Sequence, residues 1–363
     1  MLQKGALLVI FLYCFFYSLA SIEIKPLRKI NLSQRQDNFI KWPGSFVITV
    51  DDMIFVFDSK SSNIKIYDGS GKLVNVFGRN GMGPDEFLQP YLSTYNEPYI
   101  FIVDYGRQTI FIYKRLGRDN LKFFIKVFSP GMIYDLHLIN ENKFLFAGYK
   151  KGNNLVEYNL YEYDFKNNNY DFLLTSEESY GFNSKKLYLK EYDEKICYIG
   201  PFQFIDYTKD SIYLVWTGDI KIIKFDRKTR KYSFFGNKTK NYVQPYVSPE
   251  IKKAYSERKN TLIFKLQREM SYIRDIFVLK SNKIGLVYIG PFKNSNFVNV
   301  MLQIYSDNGD FLKEFELLKA KASHHYELFS YLKKDTNLIY IMDTETSKDF
   351  DQFYKIHEYR IEE

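Results

Sequence analysis

The chain is poor in the side chains that carry out most enzyme chemistry. It has 2 cysteines and 4 histidines among 363 residues. Cys14 lies in an apolar N-terminal stretch, so removal of that stretch leaves Cys197 alone and no internal disulfide to form. Stability must therefore come from buried apolar surface. There is no HExxH, CxxC or Gly-x-Ser-x-Gly pattern, which removes the usual zinc-hydrolase, thiol-redox and α/β-hydrolase signatures. His324 and His325 form the best catalytic candidate, yet adjacent residues of a strand point to opposite faces, so both can serve one site only from a loop. Basic blocks are also missing. The net charge of +8 is dispersed along the chain, which argues for a solvated surface and against nucleic acid.

Long apolar runs are scarce too. Gly5–Ala20 (GALLVIFLYCFFYSLA) follows Lys4 and falls short of the about 20 residues a spanning helix needs. Ser18 and Ala20 stand where a secretory cleavage site wants small residues, so residues 1–20 read as a signal peptide. The expectation is a secreted or periplasmic protein with no stable membrane insertion, or a membrane-anchored one if cleavage fails. Tyr13 before Cys14 argues against a lipid anchor.

What the chain has in abundance is Tyr (32) and Phe (33), residues suited to pleated, packed strands. Short apolar runs separated by turn residues recur from Ser45 to Ile361. Ser45–Val50, Met53–Asp58, Ile64–Asp68 and Lys72–Phe77 form the first four-strand meander. PYIFIVDYGRQTIFIY aligns with DMIFVFDSKSSNIKIYD, setting Asp58 against Asp104 and Ile64 against Ile110. Five meanders follow one another, and a sixth has only three strands, Tyr326–Lys333, Leu338–Asp343 and Phe353–Ile361. The partly alternating Ile22–Leu32 segment can supply its fourth strand, which removes two open sheet edges at once. Asp68, Asp164, Asp226 and the Asp307–Asp310 turn follow third strands and read as hairpin chemistry.

The second of these units and the loop Gly81-Met-Gly83-Pro84-Asp85-Glu86-Phe87-Leu-Gln-Pro90 resemble the NHL type of repeat, with Asp85 where that family usually has glycine. The resemblance covers residues 50–115 and is similar to bacterial propellers carried on secretion signals. It implies an all-β, six-bladed β-propeller of four-stranded blades spanning 21–363, closed by the N-terminal strand in the last blade. The loop implies architecture and no chemistry; no helical pattern follows its glycines, as a phosphate site would need.

Long connections, Ser176–Phe202, Gly236–Ser271 and Gly290–Asn296, all fall on the face that carries the blade-to-blade links, which makes it the expected working face. The second holds an expected helix over 248–270, with Ser248 as N-cap and Pro249 at the first position. Lys185, Lys186 and Tyr188 in the first could contact a polymer. Tyr134-Asp135 and Arg274-Asp275 occupy equivalent inner-strand positions facing the channel, with backbone amides or Arg274 as the more ordinary partners of the carboxylates. The expected function is a non-catalytic module binding a protein, peptide or glycan, monomeric and without cofactor. The alternative is a lactonase- or lyase-like enzyme holding a divalent metal such as Ca2+ on Asp135, Asp206 and Asp275.

Overall fold

The computed structural model describes residues 22–34, 38–129, 131–151, 157–175, 178, 202–259, 262, 268–292, 297–321, 328–333, 336–346 and 352–363. Six antiparallel four-stranded sheets make up the fold, each a meander running from a central channel outward. From blade one to blade six the inner strands are Pro43–Ile48, Pro90–Asn96, Met132–Asn140, Gln203–Tyr207, Tyr272–Val278 and Phe329–Lys333. The last blade is completed on its outside by Glu23–Asn31, which pairs with Gln352–Glu362 from Glu23 opposite Glu362 to Asn31 opposite Lys355. The expected closure of the ring is therefore present.

The apolar runs are continuous, rather than alternating with polar residues, because both faces of a blade are buried against neighbouring blades. Phe46, Ile48, Ile54 and Val56 of blade one pack toward blade six, while Val47, Phe55, Phe57 and Ile64 pack toward blade two. Blade five divides in the same way, with Ile284, Leu286 and Tyr288 on one side and Val287 and Ile289 on the other. Among the described residues, six apolar clusters alternate with six sheets around the ring. Period-two side-chain geometry makes this division automatic.

The repeated aspartates Asp58 and Asp104 tie blades one and two to the segments leading into them. Asp58 accepts hydrogen bonds from the amides of Lys41, Trp42 and Ser61. Asp104 does the same for Leu88, Gln89 and Arg107. Asp58 also pairs with Lys65 at 2.7 Å, with both side chains almost wholly buried. Burial is the largest influence on both groups. It draws the Lys65 ammonium below its usual pKa, whereas Lys65 and the amide donors outweigh it at Asp58 and hold that carboxyl low. Phe111 occupies the register of Lys65 in blade two, so Asp104 is served there by amides. After the third strands, Asp68, Asp164 and Asp226 cap their own turn amides, as hairpin chemistry requires.

The glycine-rich loop is a packed anchor. Phe87 is fully buried and meets Phe111 edge-on at 5.6 Å. Gly78 has φ 81°, and a Cβ there would lie 2.5 Å from the Phe87 ring, so the position admits no side chain. Glu86 accepts from the Gly83 amide at 2.7 Å, and Arg107 donates to the carbonyls of Gly83 and Glu86.

The long insertion after blade four is fastened to blade five. Thr239, Asn241, Tyr288 and Gln303 all donate to Glu314, and together they hold its carboxyl below the usual range although burial pushes it up. The helix in this insertion, α1, spans Pro249–Ser256, and Ser248 caps it by accepting from the Ile251 amide. The continuous helix expected over 248–270 is interrupted. Arg258 turns left-handed at φ 53° and the Lys259 amide returns to the Ala254 carbonyl, a helix-ending arrangement. Ile251 and Ala254 form the buried side of α1.

The buried ion pair gives a test of this packing. Lys65→Met leaves the Asp58 charge buried without its cation and should cost about 3–5 kcal/mol in chemical denaturation. Adding Asp58→Asn should recover part of the loss; a Lys65→Met protein as stable as the wild type would show that the amides alone suffice.

Candidate functional site at the channel mouth

The inner strands carry register shifts between Pro43 and Ser45, Pro90 and Leu92, Ile133 and Asp135, and Ile273 and Asp275. Each shift is a bulge, in which an extra residue re-aims its neighbours. The extra residues are Gly44, Tyr91, Tyr134 and Arg274. A Cβ on Gly44 would sit 2.4 Å from the Tyr91 carbonyl oxygen, so blades one and two approach closely where a side chain cannot fit. All four extra residues line a cavity of about 360 Å³. Its wall includes Tyr91, Phe202, Phe204 and Tyr331, around Asp135 and Asp275. The expected equivalence of Tyr134-Asp135 and Arg274-Asp275 is present in the paired register.

The carboxylates have structural partners. Asp135 accepts from the Ile205 amide at 2.9 Å and the Leu136 amide at 2.8 Å, while His137 Nε2 donates to the Ile205 carbonyl at 2.8 Å. Blade three therefore satisfies both backbone groups of one residue on the channel edge of blade four. Asp206 accepts from the amides of Tyr207 and Val278, and Asp275 from the Ile276 amide and the Ser330 hydroxyl. Ser45 with Ser93, Tyr105 with the Ile133 carbonyl, and Tyr331 with the Ile48 carbonyl link the remaining blades. Every junction in the ring thus has an inter-blade hydrogen bond near the channel.

Burial pushes the Asp135 carboxyl up to about 6, against the pull of His137 and the two amides, with the Asp206 charge adding to the rise. Burial also raises Asp275 well above the usual range, helped by the charges of Asp135 and Asp206. The Tyr134 phenol is pushed up to about 12 by burial. The arrangement can hold a charged or hydrogen-bonding ligand between buried carboxylates and Arg274. Among the described residues, no group of three or more His, Cys, Asp or Glu is placed to hold a metal ion. Asp135, Asp206 and Asp275 each turn one oxygen toward a different blade junction, where it meets Ile205, Val278 and Ser330 respectively.

Lys185, Lys186, Tyr188 and His324 lie outside the described residues. Ser330, Tyr91 and Phe204 also line the cavity, and nothing in a lone serine or aromatic marks it as channel-facing until the bulges are known.

A sequence profile of the 6-bladed beta-propeller family DUF5128 matches residues 23–211, more than half of the chain. The chain belongs to this family. In fold the propeller is similar to a member of the DUF4221 family from Bacteroides vulgatus, with 12% identity and a TM-score of 0.61 over 94% of this chain and 98% of that one. It is also similar to a candidate exported protein from Bacteroides fragilis, with 14% identity and a TM-score of 0.56 over 94% and 96% of the two chains. At such identities the likeness shows the fold alone. No curated protein matches the propeller in sequence. No helix among the described residues is long and apolar enough to cross a membrane.

The raised Asp135 carboxyl has a signed consequence. Its folded pKa lies above that of the unfolded chain, so its contribution is most favourable below about pH 4 and is lost as pH rises through about 6. The stability of the wild type minus that of Asp135→Asn should therefore fall, by up to about 3 kcal/mol, between pH 4 and pH 7 in paired denaturation curves. A difference independent of pH would contradict the raised pKa.

Proposed function

We propose that this propeller is an exported, monomeric binding protein that takes a peptide segment, free or within a protein partner, into the channel mouth on its long-loop face. The observation that carries the reading is the commitment of Asp135, Asp206 and Asp275 to the junctions between blades. Carboxylates that hold the ring together can still meet a ligand, but they are poorly placed to give up their partners during a reaction. The cavity volume, about 360 Å³, suits an inserted side chain or chain end. Arg274 beside buried carboxylates favours a ligand carrying both charges, and a peptide supplies these more readily than a neutral glycan. No cofactor is needed for this role.

Export is supported by the leader-like Gly5–Ala20 segment and by the exported character named for the Bacteroides fragilis neighbour. The Gly78–Pro90 loop supports grouping the blades with the NHL type. The insertion containing α1, together with Lys185, Lys186, Tyr188 and His324, would extend the contact around the mouth.

A peptide array probed with the purified protein identifies a ligand for titration. Tyr134→Ala and Arg274→Ala should each weaken it by about tenfold or more. Equal binding by both variants would place the peptide elsewhere. EDTA should leave the melting temperature unchanged; a fall reversed by Ca2+ would transfer support to a metal-dependent enzyme.

A further inference from the structure

The short turns between first and second strands surround a second basin, at the channel end opposite the Tyr134 mouth. Its volume is about 1040 Å³, at the upper limit of the roughly 300–1,000 Å³ typical of small-molecule sites. Two features of its lining point to one kind of ligand. Tyr99, Phe124 and Phe165 form an aromatic wall where blades two and three meet. Phe124 is 57% exposed, and its ring centre stands 5.2 Å from that of Tyr99 with the planes tilted by 50°. The exposed Phe124 ring beside the half-buried Tyr99 offers an apolar surface that water covers poorly.

Carboxamides stand around the same basin. Asn96 and Asn282 lie on its rim, and among the described residues their side chains make no hydrogen bond. Each keeps two donors and an acceptor for a ligand. Asn140 uses its Oδ1 to accept from the Asn142 amide, which leaves its NH2 group available. The lining carries three acids, Glu97, Glu141 and Asp206, against two bases, Lys209 and Lys280, and Asp206 accepts from the Val278 amide. No cationic track for phosphates is present in this lining. The basin is rimmed by tight turns rather than an open strand edge, so a peptide cannot extend a sheet there.

We propose that this basin binds a neutral oligosaccharide, whose pyranose C–H faces lie on Phe124 and Tyr99 and whose hydroxyls bond to Asn96 and Asn282. A sugar ring combines an apolar face with a rim of paired donors and acceptors, which matches a wall of rings beside a rim of amides. The basin adjoins the peptide-binding cavity through Asn96, Leu138 and Asp206, which line both, while Tyr99, Phe124 and Asn282 line the basin and not that cavity.

Isothermal titration of the purified protein with cellohexaose, xylohexaose, mannohexaose and maltohexaose tests the proposal. At least one should bind. Phe124→Ala should weaken that sugar by about tenfold and Asn282→Ala by about fivefold, while Tyr134→Ala at the opposite mouth should leave it unchanged. Phe124 sits on an exposed outer strand, so its loss should leave the melting temperature near that of the wild type. The proposal is overturned if none of the four sugars binds, if Phe124→Ala binds as tightly as wild type, or if Tyr134→Ala abolishes binding.

Discussion

The inner strand of each blade has a neighbouring strand on one side only. Its other edge faces the channel with amides and carbonyls that need partners, and a buried group left without one costs as much as a lost hydrogen bond. The propeller solves this with side chains from the adjoining blade. Asp135 and His137 take both polar groups of Ile205, Asp206 takes Val278, Tyr331 takes Ile48 and Tyr105 takes Ile133. Apolar clusters give the blades their adhesion, while these bonds fix where each blade stops sliding against the next.

This division of labour gives the cavity's carboxylates an architectural role. Two carboxyls with raised pKa in a cavity are a common mark of an active site. The rise follows from burial, because closing a ring of sheets brings these aspartates out of water around one axis. The amides that hold them limit the rise and fix their orientation. A pocket built this way is preorganised, since its polar walls cannot rotate without loosening a junction.

Much of the architecture was legible in the sequence. The doubly buried strands appear as uninterrupted runs such as IFVF and YIFIV, Asp58 and Asp104 mark the same step in successive blades, and Ile22–Leu32 had no local partner except the incomplete last blade. The N-cap at Ser248 was equally visible. The helix end at Arg258 was not, because an arginine rarely turns left-handed and the apolar stripe beyond it continued the helical period. The bulges were hidden for a related reason: a glycine, two tyrosines and an arginine (Gly44, Tyr91, Tyr134 and Arg274) make no sequence pattern, and the extra residue is defined by backbone pairing. The second basin has no mark in the sequence, because it is made by four short turns, each ordinary on its own, that the ring brings together.

Ring closure by Glu23–Asn31 also sets an order of events during synthesis. This strand leaves the ribosome more than 300 residues before its partner, Gln352–Glu362. Such distant pairing is slow to form, and the strand must wait unpaired while the intervening blades assemble. Its composition suits that wait. Pro26 withholds an amide, and Lys25, Arg28 and Lys29 place positive charge along an edge that would otherwise invite other chains. Once the partner arrives, Lys25 meets Glu362 and Arg28 meets Glu358, so the charges that kept the strand solitary become the contacts that hold it.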